Sequence, residues 1–75
     1  MRRYTLLLIP DLEEGGYTVR VPALPGLTTE GDTLEEALAN ARDAIALWIK
    51  DAEKHGEPIP EEKAPPQTIT IEVAA

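Results

Sequence analysis

Carboxylates are the side chains best able to do chemistry in this 75-residue sequence, which contains 14 Asp and Glu against 7 Lys and Arg. A metal-dependent nuclease needs several carboxylates that converge from different strands to hold two metal ions. Most acidic residues here fall instead in predicted loops or on the polar face of a predicted helix: Asp11, Glu13, Glu14, Glu61 and Glu62 in loops, and Glu35, Glu36, Asp43 and Glu53 on the helix. We therefore interpret them as solvated charge, and we predict no metal site, no catalytic residue and no enzymatic activity.

The other reactive residue types also give no sign of a catalytic or cofactor site. His55 is the only histidine, and it lies at a predicted helix C-terminus, where the helix dipole favours its charged form. The sequence contains no cysteine, which excludes disulfides, thiolate metal sites and thiol catalysis. Gly15-Gly16 and Pro25-Gly26 lack the following lysine of a phosphate-binding loop, so they predict turns and no bound cofactor.

The composition is typical of one small acidic domain. A chain of this length buries only about 60% of its unfolded surface when it folds, so its core is marginal. The net charge of −7 disfavours binding to nucleic-acid phosphates and suits a basic protein partner. The longest apolar runs, 6–9 and 44–49, are too short to span a bilayer, and the amino terminus lacks the apolar region of a signal peptide. These features predict a cytoplasmic protein that does not bind membranes.

Alternating apolar residues predict the strands that must position any site. We predict strands at 3–9, 17–21, 27–30 and 68–73, with a proline-rich connector over 57–67 before the last one. The first segment is apolar on both faces, which is typical of a central strand that is covered on both sides.

A capping box predicts where the single helix begins. Thr33 precedes Glu36 by three residues, and the helix then extends from about Leu34 to Lys54, with Gly56 as its stop. The predicted fold class is therefore α+β in the order β-β-β-α-β: an antiparallel meander, one long helix packed on the sheet, and a returning strand.

The second half of this helix is apolar on every side, and one sheet can cover only one side. Exposed apolar surface of this kind indicates an interface, and twofold pairing is its commonest use. We therefore predict a homo-oligomer, most simply a dimer, that forms through a free strand edge or through four helix residues: Ile45, Leu47, Trp48 and Ile49. The alternative is that residues 58–60 fold back over Leu47 and Ile49.

The segment 15–38, GGYTVRVPALPGLTTEGDTLEEAL, closely resembles the N-terminal domain of HicB antitoxins. The resemblance rests on glycines, prolines and a helix cap in one fixed order: Gly15, Gly16, Tyr17, Pro22, Pro25, Gly26, Gly31, Asp32, Thr33, Glu36 and Ala37. Residues 41–45 and 56–60 fit the same pattern. Leu27 departs from the cysteine or other residue that often follows the Pro-Gly pair, and we interpret it as a packing position.

This resemblance implies a partial ribonuclease-H-like fold that binds and neutralises a small basic RNA-cleaving toxin of the HicA type. Many relatives append a DNA-binding domain, whereas we expect residues 1–75 to form a single HicB-like domain without one, and hence no direct specific DNA binding. The candidate toxin contacts are acidic residues of the hairpin loop and the helix entry: Asp11, Glu13, Glu14, Glu30 and Asp32. Two alternatives are an orphan homo-oligomeric regulatory or ligand-binding domain and, less favoured, a metal-dependent nuclease.

Overall fold

The chain forms a three-stranded antiparallel meander followed by one long helix. The computed structural model describes residues 2–74. The strands are β1 (Leu7–Pro10), β2 (Tyr17–Arg20) and β3 (Thr28–Gly31), and the helix is α1 (Leu34–Lys54). The sheet order is β1-β2-β3, with Val19 opposite both Leu8 and Thr29. The predicted α+β class, the meander and the single helix are thus confirmed.

Local hydrogen bonds make the turn between β1 and β2. The Asp11 carboxylate oxygen Oδ1 accepts from the backbone N–H groups of Glu13 (3.0 Å) and Glu14 (3.1 Å). Gly15 and Gly16 then take φ values of 82° and 81°, a region that side chains with a Cβ rarely enter. These two glycines therefore serve the turn geometry that their sequence predicted.

Both ends of α1 lie where the capping signals predicted them. Thr33 Oγ1 accepts from the Glu36 N–H (3.1 Å), and the Glu36 carboxylate in return accepts from the Asp32 N–H (3.0 Å). At the other end the Gly56 N–H donates to the Glu53 carbonyl (3.1 Å) and the Glu57 N–H to the Ala52 carbonyl (2.9 Å). This pair of bonds is a Schellman motif, and Gly56 supplies its positive φ of 68°.

The helix crosses the sheet at very short range. A Cβ added to Gly31, at the end of β3, would lie 2.6 Å from Ala37 Cα and 2.8 Å from Glu36 C, so the helix backbone rests directly on that glycine. Ala37 and Ala41 on the facing side of α1 are fully buried. The helix backbone lies over β3 and β2 and farther from β1, from which the Leu8 side chain reaches the core cluster of Val19, Ala37 and Ala41, so space remains beside the helix.

A second part of the core lies under the later turns of α1. Val21, Leu24 and Leu27 form a buried cluster, and Ile45 and Trp48 of the helix pack against it. Leu24 is 0% exposed because the Leu24 N–H donates to the Val21 carbonyl (3.0 Å), which turns the loop inward. The loop 22–26, which contains two prolines, therefore contributes the core residue Leu24 in addition to ending the strand.

All four predicted strands need correction at one or both boundaries. The first strand begins at Leu7 rather than Arg3, and it lies at a sheet edge rather than at the centre. The second strand ends at Arg20, one residue earlier than predicted, and the third is shifted by one residue, to Thr28–Gly31. Residues 68–73 pair with no strand in the described chain, so the predicted returning strand is wrong here. A strand exists only where a neighbour accepts its hydrogen bonds, and this segment has none in its own chain.

Candidate protein-binding surfaces

An acidic surface forms where the β1–β2 loop meets the entry of α1. Strand register places Thr18 opposite Glu30, so the two loops lie side by side. Of the five candidate contacts, four line one shallow concavity there: Asp11, Glu14, Glu30 and Asp32. Glu13 is exposed on the same turn but does not line the concavity. We call these five residues the acidic surface.

Hydrogen bonds to the backbone hold the acidic surface in place. The Asp11 carboxylate fixes its own turn, and the Asn40 side chain donates from Nδ2 to the Glu30 carbonyl (2.8 Å). The capping box fixes Asp32 through its N–H. Carboxylates on a preordered backbone attract a cationic protein surface at low entropic cost. Among residues 2–74, no three His, Cys, Asp or Glu side chains are grouped so that they could hold a metal ion.

A second, apolar surface lies beside α1, in the space that the helix leaves over the amino-terminal segment. Tyr4 and Leu6 form one wall of this groove, whose volume is about 440 Å³. The helix forms the other wall with Leu38, Ala41, Ile45, Ala46 and Ile49, and Arg2 and Arg42 complete its lining. We call this feature the groove.

The structure divides the four predicted oligomer residues between two faces of the helix. Ile45 and Ile49 line the groove, whereas Leu47 and Trp48 lie on the flank beside Leu27. Trp48 packs on the second core cluster and is half-buried, but Leu47 is 69% exposed. The folding-back alternative required the connector to cover Leu47, and this exposure shows that it does not.

The connector is held against the amino-terminal segment instead. The Tyr4 hydroxyl donates to the Pro60 carbonyl (2.7 Å). The Glu62 carboxylate accepts from both the N–H (2.7 Å) and the hydroxyl (2.6 Å) of Thr5. These bonds from Thr5 lower the pKa of Glu62 below its usual value. Sequence reasoning missed this contact, because no local signal joins residues that are 57 positions apart.

This carboxylate predicts an acid-sensitive contact. Because the folded state lowers the pKa of Glu62, the contact stabilises the protein above the ordinary value of 4.5 and loses that contribution as pH falls through the lower folded value. We expect Glu62→Gln to lower Tm at neutral pH and to flatten the loss of Tm between about pH 6 and about pH 3. Thermal unfolding at several pH values measures this. Glu61→Gln, a change at the exposed neighbour, is the control, and equal acid sensitivity of Glu62→Gln and the unsubstituted chain would contradict the assignment.

His55 acts as part of the helix terminus. Its Nδ1 atom lies 2.9 Å from the Asp51 carbonyl oxygen and 3.5 Å from Asp51 Oδ1. The hydrogen bond to the Asp51 carbonyl, and then the Asp51 charge, raise the pKa of His55. The surrounding geometry is that of a C-cap, which agrees with the structural interpretation of this residue from the sequence.

Comparison with known proteins connects this chain to toxin-antitoxin systems. A family model described as the HicB-like antitoxin of bacterial toxin-antitoxin systems matches residues 4–72. A UPF0150 protein of Thermoplasma acidophilum is 45% identical over 69 residues, which cover 92% of this chain and 96% of that protein. A UPF0150 protein of Synechocystis is 42% identical over 59 residues, which cover 79% and 73%. Antitoxin HicB 1 of Photorhabdus laumondii is 46% identical over 56 residues, which cover 69% of this chain but only 36% of that antitoxin.

One further property concerns membranes. Within the described part of the chain, α1 is the long helix, and neither it nor any other helical segment is apolar enough over sufficient length to cross a bilayer.

Proposed function

Because the chain belongs to the HicB-like antitoxin family, we propose that it is an antitoxin module that binds and neutralises a small, basic, RNA-cleaving toxin of the HicA type. The observation that carries this proposal is the acidic surface. Two loops that are distant in sequence bring Asp11, Glu14, Glu30 and Asp32 to one concavity, in a chain of net charge −7.

The proposed mechanism is competition for a cationic surface. A protein that cleaves RNA must attract phosphates with lysine and arginine side chains. Carboxylates that are already held in position can occupy the same cations, and complementary charge also speeds the encounter of the two proteins. Neutralisation then consists of covering the RNA-binding surface of the toxin, and it needs no catalytic residue, metal or cofactor in this chain.

The remaining parts of the proposal concern what this module does alone. We place it in the cytoplasm, as a single domain in which the connector 57–67 leads to the last segment. We propose that it is a homo-oligomer, is not a nuclease and does not recognise DNA directly. The acidic surface favours this reading, since duplex binding requires basic side chains that reach phosphates and base edges.

An RNA-cleavage assay tests the proposed function. A HicA-type toxin encoded beside this chain, once purified, should cleave RNA, and we expect an equimolar amount of this chain to suppress that cleavage and to coelute with the toxin. The chain alone, with magnesium or manganese, should leave RNA intact. Undiminished cleavage in the presence of excess chain would refute the antitoxin proposal, and cleavage by the chain alone that is lost on chelation would favour the nuclease alternative.

A further inference from the structure

The segment 68–73 has the pattern of a strand with one buried face. Ile69, Ile71 and Val73 alternate with Thr68, Thr70 and Glu72, so the three aliphatic side chains share one face of the extended chain. In the described chain these three side chains are 79%, 75% and 76% exposed. Single exposed aliphatic residues are common on protein surfaces, but three on one face of a segment indicate a binding surface. We call this segment the tail.

The sheet offers a vacant position of matching shape. β1 is an edge strand, and its outer edge is unpaired in the described sheet. The groove lies beside α1, over the segment that leads into β1, and is walled by Tyr4, Leu6, Ile45 and Ile49. A strand added at this edge would extend the ladder, and its inward side chains would enter the groove.

The tail does not reach this position in its own chain. The bonds between Thr5 and Glu62 place residue 62 level with residue 5. The exposure of Ile69, Ile71 and Val73 shows that the tail does not fill the groove of its own chain, whose lining comes from the amino-terminal segment and α1. Pro65 and Pro66 have fixed φ angles and favour an extended backbone at the residues that precede them, and no glycine follows Gly56 to make a tight reversal.

The shape of the molecule agrees with a tail that projects away. The radius of gyration is 14.5 Å and the longest dimension is 48 Å. A compact chain of 75 residues would have a radius of gyration of about 11 Å. The unfilled groove and the projecting tail are therefore present in the same molecule.

A second copy of the chain is the partner that can both fill the groove and cover the apolar face of the tail. Each copy carries one tail and one groove, and a twofold axis lets two copies exchange them reciprocally. Charge favours this contact even though each copy carries −7. Arg2 and Arg42 line the groove, and Glu72 is the one charged residue in 64–74. Glu72 lies on the tail face that points away from the groove, so the exchange places an uncharged strand face against a surface lined by two arginines, whereas most other surfaces of two acidic copies would repel.

We propose that the chain forms a strand-exchanged dimer, in which the tail of each copy adds to the free edge at β1 of the other and inserts Ile69, Ile71 and Val73 into its groove. This inference deepens the homo-oligomer of the proposed function by naming its interface. It does not depend on toxin binding.

Sedimentation equilibrium on the full chain tests the exchange. We expect the unsubstituted chain to be a dimer and the double variant Ile69→Glu with Ile71→Glu to be a folded monomer, with a dimer dissociation constant raised at least about 100-fold, because it buries two unpaired charges. The matched control is Thr68→Glu with Thr70→Glu, which adds the same charge to the outward face and should stay dimeric. A monomeric unsubstituted chain, or equal effects of the two double variants, would overturn the proposal.

Cross-linking separates exchange between copies from closure within one copy. Because the chain has no cysteine, Ala46→Cys in the groove and Ile71→Cys in the tail create unique thiols on two separate samples. After these are mixed and treated with a short bismaleimide, we expect the cross-linked heterodimer. Thr28→Cys, which is exposed on β3 at the opposite edge of the sheet, replaces Ala46→Cys as the control and should give none. A chain that carries both thiols and links them internally as a monomer would overturn the exchange.

The two proposals fail in distinguishable ways. Loss of the dimer in the tail variant, with toxin neutralisation retained, would support the exchange and show that the toxin binds elsewhere. Failure of the chain to neutralise any toxin would leave the sedimentation result unchanged.

Discussion

Gly31→Ala is expected to lower the free energy of unfolding by more than about 3 kcal/mol, at or beyond the upper end of the usual cost of overpacking. The new Cβ would overlap Ala37 N and lie 2.6 Å from Ala37 Cα. These are backbone atoms within the first turn of α1, so no side-chain rotation relieves the overlap. The helix would have to lift from β3, and the burial of Ala37 and Ala41 against Val19 would be lost with it.

Urea denaturation followed by helical circular dichroism and by fluorescence of the single tryptophan, Trp48, measures this loss. Gly15→Ala is the matched control, since a Cβ there meets nothing within 4 Å and its cost comes from the φ of 82° alone. That cost is about 1–2 kcal/mol. A Gly31→Ala variant no less stable than Gly15→Ala would show that the helix does not rest on this glycine.

The second large effect is expected on toxin association. Reversing two charges of the acidic surface with Glu14→Lys and Glu30→Lys should slow association with the toxin at least about tenfold, because steering by complementary charge is lost. Asp11 is left unchanged, since its carboxylate holds the β1–β2 turn and its loss would disturb the loop itself. Stopped-flow or surface-based association kinetics at two salt concentrations measure the effect, which should shrink at high salt.

A control of equal net charge makes this test specific. Glu53→Lys with Glu57→Lys also reverses two exposed acidic residues, but at the far end of α1, which is about 31 Å long. We expect this control to keep nearly the full association rate. If both double variants slow association equally, only the overall charge matters, and the acidic surface is not the toxin contact.

Local signals in the sequence determined the helix and the turns of this protein. The bounds of α1 follow from the cap at Thr33 and the stop at Gly56, whose hydrogen bonds join residues no more than five positions apart. The positive φ values at Gly15 and Gly16 follow equally from turn chemistry. Such contacts form within one segment, so the residue types suffice to predict them.

Only the tertiary structure decided which acidic residues lie together. The sequence suggested five candidates for the acidic surface, but strand register brought four of them to one concavity and left Glu13 outside it. The tertiary structure also shows that Glu62, which the sequence suggested to be a solvated charge, accepts two hydrogen bonds from Thr5. Both outcomes depend on pairing between distant segments, which no local pattern encodes.

The extent of each strand was likewise decided by tertiary partners. Alternation of apolar residues predicted strands at 3–9 and 68–73, yet β1 begins at Leu7 and the tail stays unpaired. Alternation reports only that one face of a segment is suited to burial. Whether a ladder forms depends on a neighbour for the backbone N–H and C=O groups. In this chain the connector contacts Thr5 through Glu62, and the tail that follows the connector has no such neighbour.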